Sequence, residues 1–383
     1  MVHVMMNRKT KLQVLYLCIF ILLWATPWRA FADSTPIYER VPQIDPDVYS
    51  AVDPVFDKPL RRIIKLVDHD RYDDAVAVLD SLKEAHPDHP APYFYEAAVY
   101  QSWMSVYRIK AFQQEVDTNV DLAIEKGNAL LEKRDDPWLN FYIGGAYGHR
   151  GFNRFRRNNW IGAYKDGMKG INNFRAAIEK DTTLYDVYLG FGSYFYWRTA
   201  KSKFLRLLTF WMPDKRDLGI RQLEFCINHG RYAREEAISV LTAVYFDSND
   251  YKEALRVVEE SIRERNYANM IDIYFHGRLM VHFKNWAAVE SDFREILERI
   301  SGYKYPSIGF QVECKYWIAR ALDARGKHAE ALEMAREAYN QNRARNPELE
   351  LDGPLENFDE IKSQLRDFYS DLFKRYYNPQ GTD

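Results

Sequence analysis

Residues 235–268 read EEAISVLTAVYFDSNDYKEALRVVEESIRERNYA. Ile238, Leu241, Thr242 and Tyr245 recur at spacings of three and four, so they share one face of a first helix. Ala254, Val258 and Ser261 do the same on a second helix. Between them Asp247-Ser248-Asn249-Asp250 supplies residues that suit a chain reversal. In a frame of about 34 residues these side chains take positions 4, 7, 8, 11, 20, 24 and 27. Small residues at 8 and 20 predict that the two helices approach closely, with larger apolar residues filling the rest of the contact.

The frame recurs in both directions. Downstream, Ile273, Gly277 and Met280 precede Val289, Phe293 and Ile296, and Ile318, Ala319 and Leu322 precede Ala331, Ala335 and Ala338. Upstream, Tyr188, Phe191, Gly192 and Phe195 mark a first helix, with Gly219, Leu223 and Cys226 on its partner. Ile143, Gly144 and Tyr147 precede Gly170, Phe174 and Ala177. Tyr93, Ala97 and Tyr100 fit a further first helix, and Ala75, Leu79, Leu82 and Pro87 fit a second one. The pattern resembles the tetratricopeptide repeat. The resemblance implies an all-α superhelix of about seven helix-turn-helix units over residues 59–350. GGAYGHRG followed by DVYLGFGSYFYW is also similar to exported bacterial tetratricopeptide proteins, and distantly to the eukaryotic inclusion-body clearance family. Extra residues near 103–120, 148–162 and 197–215 are expected to interrupt helix-to-helix turns, and those near 301–314 to separate two repeats. Insertions in solenoids collect on one face, often the binding face.

Both ends read differently. Arg8, Lys9 and Lys11 precede the apolar run Val14–Trp24, and Ala30-Phe31-Ala32 precedes Asp33. A basic start, a short apolar stretch and a small-x-small site predict a signal peptide over 1–32, cleaved after Ala32, and hence export to the periplasm or envelope of a bacterium. Residues 33–58 read as extended. At the other end Asp352-Gly353-Pro354 breaks the chain. Phe358, Ile361, Leu365, Phe368, Leu372 and Tyr376 then form one apolar stripe, which predicts a capping helix over 355–377.

Composition narrows the function. Of 383 residues, 47% are apolar and 28% charged, with 18 Gly and 15 Pro, which excludes collagen-like and disordered chains. The chain carries a net charge of −2, and removing 1–32 takes away four basic residues and no acids. A mildly acidic chain argues against nucleic-acid binding. Cys226 and Cys314 stand more than two repeats apart, so no disulfide between them is expected. None of the common hydrolase, zinc, redox or nucleotide motifs occurs, so no enzymatic activity, cofactor or metal is expected. Asp68-His69-Asp70 and His86-Pro87-Asp88-His89 read as turns, and Glu235-Glu236 and Glu259-Glu260 as helix-surface charges.

Binding is the better prospect. The resemblance places first-helix positions 2, 5, 9, 12 and 13 on the concave side. These are Phe94, Gln101, Phe141, His149, Leu189, Ser193, Tyr196 and Trp197, then Ser239, Phe246, Tyr274, Arg278, His282, Tyr316 and Arg320. Of these, Tyr196, Trp197, Phe246, Tyr274, Arg278, His282, Tyr316 and Arg320 suit a partner peptide or helix, because Tyr, Trp and Arg dominate interface energetics. Arg278 and Arg320 either hold an anion together or pair with acids of adjacent helices. Arg150, Arg154, Arg156 and Arg157 either contact phosphate, lipid or an acidic partner, or form internal salt bridges. Lys201, Lys203 and Arg206 lie beside an apolar stripe in 197–213. That stripe suits a wedge in the concave side or, as the alternative function, a lipid contact.

Overall fold

The computed structural model describes residues 35–42, 44, 48–50, 52–200 and 213–376. The predicted signal peptide and Lys201, Lys203 and Arg206 lie outside them. Among the described residues the chain forms fifteen α-helices and no strand. They pair into seven antiparallel hairpins: α1 (Pro54–Asp68) with α2 (Tyr72–Ala85), α3 (Pro90–Tyr107) with α4 (Gln113–Leu131), and α5 (Pro137–Arg156) with α6 (Trp160–Lys180). Then follow α7 (Val187–Ala200) with α8 (Arg216–His229), α9 (Arg234–Asp247) with α10 (Tyr251–Arg265), α11 (Met270–His282) with α12 (Trp286–Ile300), and α13 (Ile308–Ala324) with α14 (His328–Gln341). A last helix, α15 (Phe358–Tyr376), buries Phe358, Ile361, Leu365 and Leu372 at the end of the stack.

Local chemistry sets the boundaries. Proline occupies the first turn of α1, α3 and α5, where its missing N–H costs nothing. Asp136 caps α5 by accepting from the Trp138 N–H at 2.9 Å. Asn269 and Asp272 form a reciprocal capping box on α11. Six hairpins reverse on one left-handed residue: Asp70, Arg108, Asn158, Asn249, Lys284 or Gly326. In each the next N–H donates to the carbonyl five residues back, as in Asp250 to Tyr245 at 2.9 Å and Lys327 to Leu322 at 2.9 Å.

Small residues bring the helices of a hairpin into backbone contact. A Cβ added to Gly219 would stand 2.7 Å from the Gly192 carbonyl oxygen, and one on Gly192 would stand 2.8 Å from that of Gly219. The extra residues near 103–120 and 148–162 do not interrupt the turns. They lengthen both arms instead. α5 and α6 span 20 and 21 residues, against 13 and 15 for α11 and α12. Continuing a helix satisfies each added backbone group within the segment, whereas a loop leaves it to find a partner. Near 301–314 only the stretch up to Ser307, the cap of α13, is loop.

The superhelix then returns onto its own first turn. Residues 174 to 243 positions apart meet along one seam. Asp57 takes Arg231 at 2.9 Å and the Tyr232 hydroxyl at 2.5 Å. Asp68 accepts from Arg265, Tyr267 and Asn269, and Asp70 from the Met270 N–H at 3.0 Å. Trp103 donates to the Tyr303 hydroxyl at 2.7 Å, and Tyr107 stacks on Tyr303 at 4.2 Å. Ile109 and Glu350 form an antiparallel bridge. Arg108 and Glu313, 1% and 0% exposed, form an ion pair across the seam.

Burial lowers the Arg108 pKa, but the charge and hydrogen bond of Glu313 outweigh it and raise it overall. Removing one member of such a pair leaves a buried charge uncompensated. Glu313→Gln is therefore expected to lower stability by about 3–5 kcal/mol in urea unfolding. A loss under about 1 kcal/mol, the scale of an exposed pair, would show that the seam does not depend on it.

Candidate binding cavity

Closing the turn converts the concave side into a central cavity of about 1910 Å³. Inner helices α1, α3, α5, α7, α9 and α11 line it, together with the segment 345–359. The wall is largely apolar, with Ile63, Val99, Phe141, Leu189, Ile238 and Phe275 on successive helices. These residues lie here because one face of each inner helix packs on its partner and the opposite face turns inward.

Most residues predicted to line the concave side do so: Phe94, Gln101, Phe141, His149, Leu189, Ser193, Trp197, Ser239, Phe246, Arg278 and His282. Phe246 lies 5.5 Å from Phe275, and the His282 ring lies 3.8 Å from Tyr251. Tyr196, Tyr274 and Tyr316 do not line it. Each is about 1% exposed, buried in the contact between consecutive inner helices. Tyr196 donates to the Val244 carbonyl at 3.1 Å and to Asp247 at 2.9 Å. Tyr274 donates to Glu313 at 3.1 Å, and Tyr316 accepts from Arg320 at 2.8 Å. Phe94, Phe141, Leu189 and Ser239 share the frame position of Tyr274 and Tyr316 and line the cavity, so it is the partners on α9, α13 and α15, and not the position in the repeat, that bury these three rings.

For the arginines the sequence left two readings open. Arg278 is held by Glu356 at 2.9 Å and lies 4.6 Å from the Trp317 ring centre, and Arg320 lies over Phe368 of α15. They do not form a shared anion clamp. Arg150 bonds Asp166 and Asp121 at 3.0 and 2.7 Å, Arg154 bonds Asp166 at 2.7 Å, and Arg157 bonds Asp117 at 2.7 Å. Asp166, on α6, is 1% exposed. These three arginines neutralise carboxylates of their own and the neighbouring hairpin. Arg156 alone of the four lines the cavity, with contacts of 3.5 Å to Ser105 and the Asp352 carbonyl. Cys226 and Cys314 are buried on α8 and α13, and burial pushes both thiols up.

The cavity holds titratable groups whose placement the repeat pattern did not reveal. Burial lowers His149 to about 4, so its ring is neutral near pH 7. Burial raises Glu236. Asp70 and Asp272 both rise to about 6, chiefly through burial. For Asp70 the Met270 N–H and Arg299 act the other way, while Asp272 and Asp68 add like charge. For Asp272, Arg265 and the Asn269 N–H oppose the rise. Among the described residues no three His, Cys, Asp or Glu side chains group as a metal site.

The chain is a tetratricopeptide-like superhelix. No family model matches it, and no curated protein matches it in sequence. The chain aligns with several solved structures. A thermophilic tetratricopeptide protein of Thermus thermophilus aligns over 58% of this chain and 98% of its own, at 15% identity and a TM-score of 0.38. The apo form of RapI aligns over 83% of this chain and 82% of its own, at 13% identity and 0.43. Yeast Tom70 aligns over 86% and 84%, at 15% identity and 0.33.

The seam has a pH signature. A carboxyl whose folded pKa is raised contributes stability that is complete below its ordinary value of 3.8 and lost as pH rises through about 6. Asp70→Asn keeps an acceptor for Met270 and suits the left-handed backbone. The variant is expected to melt like the wild type at pH 4 and above it at pH 7.5. A difference in Tm that does not grow with pH would refute the assignment.

Proposed function

We propose that this chain is a non-enzymatic scaffold of the bacterial cell envelope that grips a polypeptide segment of a partner protein in its central cavity. The observation that carries the reading is the cavity, about 1910 Å³ with apolar walls. Sites for small ligands usually enclose about 300–1,000 Å³. With a diameter of about 10–12 Å and a rise of about 1.5 Å per residue, three to four turns of helix fill the larger volume. The walls are assembled from rigid helices, so little ordering entropy opposes binding. The envelope location rests on the leader pattern of residues 1–32.

Ser193 and Ser239 line the cavity from neighbouring repeats. Ser193→Trp combined with Ser239→Trp narrows it and obstructs a helix-sized occupant. Affinity capture from solubilised envelope by residues 33–383 is expected to recover a protein that the double variant, matched for helicity and melting, recovers at least tenfold less. Equal recovery would overturn cavity binding.

The lipid-contacting alternative gains support from the tip of the third hairpin. There Phe152, Trp160, Ile161 and Tyr164 are 45%, 37%, 67% and 47% exposed. Under that reading the protein co-sediments with anionic phosphatidylglycerol vesicles, and Trp160→Ser with Ile161→Ser halves the bound fraction or more. No sedimentation of the wild type would remove it.

A further inference from the structure

Glu236 occupies the first turn of α9, on the inner face of the fifth hairpin, and lines the cavity. Its side chain is exposed on the wall of this open-sided cavity. Neighbouring charges are spoken for. Glu235 takes Arg234 at 2.8 Å, Asp272 takes Arg265 at 2.6 Å, Glu356 takes Arg278 at 2.9 Å and Glu350 takes Arg345 at 3.0 Å. Glu236 has no ion-pair or hydrogen-bond partner among the described residues, and burial raises its pKa with no cation beside it to oppose the change. Carboxylates also outnumber cations along the lining as a whole. Glu236 thus stands on a largely apolar wall without a counter-charge, and an incoming cation gains a charge-assisted bond there.

We propose that the cavity selects a partner segment in which a basic side chain stands among apolar ones, with Glu236 as the residue that receives the ammonium or guanidinium group. The inference rests on the cavity-binding reading above and specifies the chemistry of its occupant. Apolar flanks of the segment meet Ile63, Leu189, Ile238 and Ile271. The charge-assisted bond to Glu236 sets its register, because it is stronger than a neutral hydrogen bond and is available at one point along the apolar wall. A small polyamine would satisfy the charge but leave the apolar walls uncovered.

The test uses residues 33–383 and three fluorescein-labelled 14-residue helical peptides of Leu, Ala and Gln. They differ only in a central Lys, Gln or Glu. Fluorescence anisotropy is expected to show the Lys peptide binding about tenfold tighter than the Gln peptide and the Glu peptide weakest. Glu236→Gln should abolish the Lys preference while retaining affinity for the Gln peptide. Glu259→Gln, an exposed position on α10, should keep the preference. Equal binding of the Lys and Gln peptides to the wild type would overturn the role of Glu236 and leave cavity binding standing. A failure of all three peptides to bind would overturn both. Binding of spermidine, measured by calorimetry, in the absence of peptide binding would overturn the polypeptide commitment in favour of a small polycation.

Discussion

The cavity depends on the seam that closes this superhelix, and at the buried centre of that seam is the ion pair between Arg108 and Glu313, made across 205 positions of sequence. Arg108 sits at the left-handed residue that turns α3 toward α4. Its guanidinium lies 3.8 Å from the Phe310 ring centre and 4.6 Å from that of Tyr274. Two backbone bonds flank it, from Lys110 to Leu349 at 2.9 Å and from Leu351 to Arg108 at 3.0 Å. A buried pair adds little net stability over apolar residues of the same shape, yet it discriminates strongly against arrangements that separate its members. Here the alternative is an open superhelix, and opening leaves each charge without its partner.

Closure changes what the concave side can do. In an open solenoid an inner-face carboxylate is a solvated surface charge. In this chain Asp70 and Asp272 lie where the closing seam meets the cavity, and burial raises both to about 6. His149 moves the opposite way for the same reason, because burial disfavours the charged form of either sign. The chamber is thus both apolar and electrostatically sensitive, a combination that favours an occupant with one well-placed charge.

Much of this was legible before any coordinates. Apolar spacing in 235–268 and its echoes locate both arms of the hairpins, and the small residues at Gly192 and Gly219 mark where backbones touch. The turn residues of Asp68-His69-Asp70 were read correctly as turn formers, since Asp70 is the left-handed residue. Their second task, accepting bonds from residues near 265–270, leaves no local trace. The tyrosines show the limit most clearly. Tyr274 and Tyr316 occupy the frame position that puts Leu189 and Ser239 on the cavity wall, yet both are buried, because Glu313 of α13 and Phe368 of α15 stand against them and nothing in the local spacing announces those partners. For Arg150, Arg154 and Arg157 the sequence allows internal salt bridges without naming the acids, because the partners Asp121, Asp166 and Asp117 belong to other helices.

The sequence by itself determined the helices, their pairing and the number of hairpins. Those follow from interactions between residues a few positions or one repeat apart, and such spacings are written in the periodicity. Only the tertiary structure decided the closure, the cavity and which charges stay unpaired. Those depend on small rotations accumulated over several repeats, and on contacts between residues about 200 positions apart that no periodic pattern encodes.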